Sequence, residues 1–241
     1  MSRYKHKPIR RSARHRMRYT RQRAVGYVAA MLIVLGLIVG DRMGVFGRRP
    51  EPRQSEYRPD AATRARNNAA DLRTYHDKSF KVTRVVDGDT LDVDARDEVL
   101  GKGVTRIRLW GVDTPETVKP NTPKQHFGPE ASRFTRSFCM GMDKTVRLEL
   151  VRSLDTRGKY GRLLAYVSLP SATADKPPLC LNAELIRRGY GYSDPRYPHP
   201  REAEFRDLQR RARQSSEGLW ADATHKDLPY YYRQGKFKLG Q

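Results

Sequence analysis

The chain has 241 residues, with 48 Lys/Arg against 27 Asp/Glu, for a formal net charge of +21. That length holds one ordinary domain plus an appendage and leaves little room for a second domain. The charge implies an anionic partner, either nucleic acid or an anionic membrane surface. Only two cysteines occur, Cys139 and Cys180, which excludes a tetrahedral thiolate metal site and a CxxC redox pair. Two buried thiols and one disulfide both remain open.

The charge is unevenly placed. Residues 1–23 hold ten Lys/Arg and no acid, so the remaining 218 residues carry +11. The segment 24–40, AVGYVAAMLIVLGLIVG, then runs for seventeen residues without a charge. It is just long enough to span a hydrocarbon core of roughly 30 Å, and it is apolar all round rather than amphipathic. With no clear small-x-small cleavage site after it, it reads as an uncleaved signal-anchor, a cleaved signal being the alternative. The basic residues before it outnumber those after it (Arg42, Arg48, Arg49 and Arg53), which places the N-terminus in the cytoplasm and the body outside. The leader's basic cluster also suits contact with anionic headgroups. An Arg-rich, acid-poor leader equally fits organelle targeting, so a mitochondrial membrane stays open. Residues 41–78, with Pro50, Pro52 and Pro59, read as a linker with a short helix around Asp60–Leu72.

From residue 79 the pattern becomes one of short strands. Phe80–Val86 is apolar-rich, and Thr90–Ala95 alternates. Thr105, Ile107 and Leu109 share one strand face, with Arg106, Arg108 and Trp110 on the other. Lys144–Val151 and Leu163–Leu169 complete five strands. Helices are expected from Pro129 through Met140, over Leu181–Arg188 with a left-handed cap at Gly189, and from Pro200 onward with the stripe Phe205, Leu208 and Ala212. One helix inserted among five strands and two trailing them argue for a small barrel in an α+β domain over 79–222. Residues 223–241 are expected to be a loosely ordered tail, although Tyr230-Tyr231-Tyr232-Arg233 mixes aromatics with base as single-strand binders do.

Three clusters carry chemistry. Asp87-Gly88-Asp89-Thr90 taken alone is a hairpin turn. Arg108 through Glu116 (RLWGVDTPE) taken alone is a strand ending in a turn stiffened by Pro115. Lys159-Tyr160-Gly161-Arg162 taken alone is a basic loop. Together they supply oxygen donors for a hard cation, a further acid and two guanidinium groups suited to phosphate. That is the kit of phosphodiester hydrolysis, in which fixed cations act on the charge that builds up in the five-coordinate state. Glu130 reads as a helix first-turn carboxylate and His126 as a surface residue.

In this order the clusters resemble the staphylococcal nuclease (thermonuclease) family. Asp87–Thr90, Arg108–Glu116, Phe127-Gly128-Pro129-Glu130-Ala131, Tyr160–Arg162, Leu181-Asn182 through Gly189, and Gly218-Leu219-Trp220 carry the likeness, which runs from 80 to 221. The resemblance implies a five-stranded oligonucleotide/oligosaccharide-binding (OB) barrel with three helices. It implies that Asp89, Asp113 and the Thr114 carbonyl hold Ca2+ with Asp87 in the outer shell. It further implies that Arg108 and Arg162 clamp the scissile phosphate, that Glu116 is the general base, and that Lys159 and Tyr160 touch the nucleotide's other phosphate. Tyr192 or Tyr197 would stack on the base. The chain departs from the family's pattern at Gly158, where an acid is usual, in a longer loop between Ala95 and Val104, and after Gly189. The expectation is a calcium-dependent nuclease acting on DNA, RNA or both outside the cytoplasm. The rivals are an inactive nuclease-like module that only binds nucleic acid, and a basic body that binds anionic lipid or polymer. An extracytoplasmic body would favour the Cys139–Cys180 disulfide.

Overall fold

The computed structural model describes residues 56–118, 123–140, 145–170 and 177–239. The leader, the apolar segment 24–40 and the first part of the linker lie outside the described residues. Among those that are described, no helix is long and apolar enough to cross a membrane.

Strand β1 (Lys78–Asp87) is the spine of the domain. Its first half pairs antiparallel with β5 (Thr145–Glu149), Phe80 opposite Val146. Its second half pairs with β2 (Thr90–Val93), Val85 opposite Leu91. Register irregularities between Val82 and Arg84 and between Val85 and Asp87 bend the strand so that it can serve both partners. The sheet continues from β2 to β3 (Thr105–Leu109) and from β5 to β6 (Leu163–Leu169). A parallel pairing of β3 with β6, Ile107 opposite Leu163, closes it. Five strands closed in this way form an OB-type barrel. Short β4 (Val112–Asp113) leaves the end of β3 and pairs with β8 (Tyr192–Ser193), while β7 (Leu179–Cys180) extends the β6 edge.

The alternation read from the sequence fills this barrel. Leu91, Val93, Ile107, Leu109, Val146, Leu148, Leu163, Ala165 and Val167 are fully enclosed. Trp110 departs from its expected place on the outer face: it is buried and stacks on Tyr166, because the chain turns inward after β3. Three helices pack on the barrel as expected, α2 (Gly128–Met140), α3 (Leu181–Arg187) and α4 (Glu202–Gln214). Gly189 caps α3 with φ at +65°, and a Cβ there would lie 2.0 Å from the Glu217 carbonyl oxygen, so only glycine fits. Buried Asn182 ties α3 to the barrel, accepting from Val167 N and donating to the carbonyls of Trp110 and Ala165.

Two segments read as peripheral turn out to belong to the domain. From Glu56 on, the expected linker is folded: α1 (Ala61–Tyr75), N-capped by Asp60, docks its Asp71 and Tyr75 into the body. The helix expected around Asp60–Leu72 is thus present, and it docks both through Tyr75, which joins the main core beside Phe80, and through an ionic contact. Arg157 donates to both oxygens of Asp71 at 2.7 and 2.8 Å and to Asp97 at 2.8 Å, and all three side chains are almost fully enclosed. Thr156 Oγ1 donates to Asp71, and the Tyr75 hydroxyl meets Thr105 Oγ1.

At the other end, the expected loose tail is ordered through Leu239 in the described residues. It places a short helix, α5 (Tyr230–Arg233), against a second apolar cluster of Tyr192, Leu219, Tyr231 and Tyr232. The Tyr232 hydroxyl donates to the Ser193 carbonyl at 2.7 Å, anchoring the segment to β8.

Replacing the central guanidinium of the α1 contact by an apolar side chain of similar length leaves two buried carboxylates without a counter-charge. Arg157→Leu is expected to lower unfolding stability by about 3–5 kcal/mol, measured by urea denaturation. An unchanged midpoint would show that the Arg157 ion pairs add nothing to stability.

Candidate active site

The candidate residues converge at the end of the barrel where β1, β2, β3 and β4 meet. Residues Gly88 and Asp89 form a two-residue link between β1 and β2, since Asp87 pairs directly with Thr90. The hairpin reading of this motif is therefore correct as far as it goes. The glycine has a further reason, however: a Cβ at Gly88 would sit 2.6–2.9 Å from three atoms of the Thr114 side chain. That close approach lets Asp89 receive both the Thr114 N–H at 2.9 Å and the Thr114 hydroxyl at 3.1 Å on one oxygen. Its other oxygen accepts from Thr90 Oγ1 at 2.9 Å.

Arg108, on β3, lies between two carboxylates. Its Nη1 rests against Asp89 without a well-aligned hydrogen bond, and its Nη2 donates to Asp113 Oδ1 at 2.8 Å. Burial alone would raise the Asp89 carboxyl, but the Arg108 charge, the Thr114 N–H and the Arg162 charge outweigh it and hold Asp89 below its ordinary value. Arg162 stands at the start of β6, its Nη1 3.4 Å from Thr90 Oγ1. Burial and then the neighbouring Arg108 lower its pKa, with Asp89 and Glu116 opposing. Two guanidinium groups and two carboxylates thus share one small volume.

Asp87 lies behind this group. It accepts from Gly88 N, Thr117 Oγ1 and Ser132 Oγ at 2.7–3.0 Å. Burial, the Asp89 charge and a hydrogen bond with the Glu116 side chain push it up to about 7. Glu116 is half-buried, and its Oε1 also accepts from the N–H groups of Thr117 and Val118. Its backbone is held by Gln125, whose Oε1 accepts from Glu116 N.

The predicted phosphate loop is present and braced. Arg157 Nη1 donates to the Gly161 carbonyl at 2.9 Å, and Gly158 N donates to the Arg162 carbonyl. Lys159 pairs with Glu56 at 2.6 Å, and the exposed Tyr160 ring lies 5.9 Å from the Arg162 guanidinium carbon. Glu130 is a first-turn residue of α2 paired with Arg133, and His126 is a partly exposed residue near Asp222, both as expected.

Of the two tyrosines considered for base stacking, Tyr197 is exposed beside Arg196. Tyr192 is not free to stack: it is buried, edge-on to Trp220, and its hydroxyl donates to the Asp227 carbonyl. The β4–β8 pairing turns it into the second apolar cluster. Sequence reasoning missed Thr117 and Ser132, which hold Asp87. It also missed Asp194, Arg196 and Tyr231, which surround Asp113. The acid–base pair Asp194 and Arg196 was visible two residues apart, in the stretch after Gly189 where the family register was lost.

Among the described residues no three carboxylate, imidazole or thiol groups converge as a preformed metal cage. Arg108 occupies the interval between Asp89 and Asp113. The donor set of Asp89, Asp113 and the neighbouring Thr114 still suits a hard divalent cation, because it is made of oxygens alone.

A closed OB barrel with acids and arginines gathered at one end is a nuclease-type hydrolase. Residues 106–222 match the family model of staphylococcal nuclease homologues. The chain is 36% identical over 157 residues to the thermonuclease of Staphylococcus hyicus, covering 64% of this chain and 82% of that protein. It is 51% identical over 94 residues to the thermonuclease of Staphylococcus intermedius, spanning 38% of this chain and about half (49%) of that relative. An uncharacterised endonuclease of Escherichia coli O157:H7 is 33% identical over 150 residues, 59% of this chain and 77% of its own length. The chain belongs to the staphylococcal nuclease family.

The disulfide reading is not realised: Cys139 and Cys180 are free thiols. Cys139 is enclosed in the main core, where burial pushes its thiol up to about 12, while Cys180 is half-buried with its Sγ 3.0 Å from Arg201 Nη1. Alkylation of the unreduced native protein is expected to label Cys180 and to reach Cys139 only after unfolding. A Cys139–Cys180 cross-linked peptide in a non-reducing digest would contradict this arrangement.

Proposed function

We propose that this chain is a calcium-dependent nuclease that hydrolyses phosphodiester bonds of DNA, RNA or both. The observation that carries the reading is the convergence of Arg108, Arg162, Asp89, Asp113 and Glu116 at one end of the barrel. The nuclease reading is favoured over an inactive binding module because the chain is similar to thermonucleases and an endonuclease and keeps the acids and both arginines together.

Asp89 and Asp113, with Thr114 beside them, would hold the cation, and Asp87 would sit behind them. When bound, a divalent cation supplies Lewis-acid polarisation of a phosphoryl oxygen and charge neutralisation. The chain's own groups do the remainder. Arg108 and Arg162 bind the non-bridging phosphate oxygens, and their fixed positive charge is worth most as negative charge accumulates on phosphorus. Glu116 holds the attacking water and accepts its proton. The N–H groups of Thr117 and Val118 aim the Glu116 carboxylate. Lys159 and Tyr160, on the loop that ends in Arg162, face the adjoining phosphate and sugar.

Cleavage of single-stranded DNA by the full-length, detergent-solubilised chain is expected with calcium and lost with chelator. Glu116→Ala is expected to slow it by about 10²–10⁴-fold, and Arg108→Ala by on the order of 10²–10³-fold. Tight DNA binding without cleavage under calcium, magnesium or manganese would make the chain a binding module instead.

We also propose that the segment 24–40 anchors the protein with its N-terminus in the cytoplasm and the barrel beyond the membrane. The support is the apolar run itself and the excess of basic residues before it. Protease added to intact cells or organelles is expected to remove the barrel domain while a tag at the N-terminus stays protected. The reverse pattern would invert the topology.

A further inference from the structure

The matched family span ends at residue 222, yet the candidate cation site continues beyond it. Asp113 is a half-buried carboxylate whose two oxygens are treated unequally. Oδ1 accepts a single bond, from Arg108 Nη2 at 2.8 Å. Oδ2 accepts the Tyr231 hydroxyl at 3.1 Å and faces Arg196 Nη2, also at 3.1 Å. A carboxylate oxygen offers about two lone-pair directions. Oδ2 is therefore engaged by one hydrogen bond and one ionic contact, while Oδ1, with its single hydrogen bond, keeps a direction for another partner.

The groups that occupy Oδ2 are themselves held. Arg196 donates to both oxygens of buried Asp194 at 2.7 and 2.8 Å. Its guanidinium carbon lies over the Tyr231 ring, 4.4 Å from the centroid. Tyr231 is 1% exposed and packed against Tyr232 and Phe237, so its hydroxyl has a single place to go. Tyr232 pins the segment through the Ser193 carbonyl, one residue after the β8 residue that pairs with Asp113.

We propose that Tyr231, with Arg196, is a positioning residue for the divalent cation: the two engage Asp113 Oδ2 and leave Oδ1 as the ligating oxygen. The C-terminal segment 223–239 thereby completes the site instead of trailing from it. The inference rests on the reading of Asp89 and Asp113 as the cation ligands. Groups that bond to a ligating carboxylate set its orientation, and removing one typically weakens metal binding by about 10–100-fold.

The test is a calorimetric titration of calcium into the full-length, metal-free chain in detergent, without nucleic acid. Wild type is compared with Tyr231→Phe, which keeps the ring and removes the hydroxyl, with Arg196→Met, and with Asp113→Asn. Tyr231→Phe is expected to bind calcium about tenfold more weakly, with its urea midpoint little changed and its cleavage rate restored by excess calcium. Arg196→Met is expected to weaken binding in the same direction, and Asp113→Asn to abolish it. Calcium affinity in Tyr231→Phe that equals or exceeds the wild-type value, while Asp113→Asn abolishes binding, would overturn the positioning role and leave the cation site standing. No calcium binding by the wild type would overturn both.

Discussion

Arg108 is the charge around which this site is organised. It reaches Asp89 at the end of the β1–β2 link on one side and Asp113 on β4 on the other, and Asp194 Oδ2 lies 4.0 Å from its Nη2. Three acids from three separate stretches of chain are thus placed by one planar, permanently charged group. A buried arginine flanked by carboxylates is costly to assemble and costly to break, so the backbone around it must be rigid. The barrel supplies that rigidity. Arg108 lies on β3, whose neighbours β2 and β6 are both paired to it across the closed sheet.

Around this centre, positive and negative charges alternate. Asp113 stands between Arg108 and Arg196, and Asp194 stands between Arg196 and Arg108. Burial raises Asp113 despite the opposing charges of Arg108 and Arg196, whereas in Asp89 the Arg108 charge and the Thr114 N–H outweigh burial and lower it. Asp87, buried beside Asp89 and Glu116, is pushed up to about 7.

The barrel alone does not hold the site. Helix α1 reaches it through Arg157, whose guanidinium joins Asp71 of the helix to Asp97 and to the Gly161 carbonyl in the loop that carries Lys159, Tyr160 and Arg162. The C-terminal segment reaches it through Tyr231 and Asp113. Both attachments combine a buried polar contact with apolar packing, and each braces one side of the candidate site.

Much of this was legible in the residues. Alternation marked three of the five barrel strands and apolar-rich runs the others, because a side chain's face in a sheet depends only on its immediate neighbours in the chain. The acids and arginines were legible as ordered motifs, because each sits within a few residues of the turn that aims it. The roles of α1, Tyr192 and Tyr231 were not. Tyr231 lies 118 residues from Asp113, and Arg157 lies 86 residues from Asp71, so no local pattern links either pair. Tyr192, a base-stacking candidate by resemblance, is instead buried where β4 pairs with β8. Chemical identity and local geometry are written in short stretches of chain. Which distant side chains close over the site depends on packing between elements, and that has no signature along the sequence.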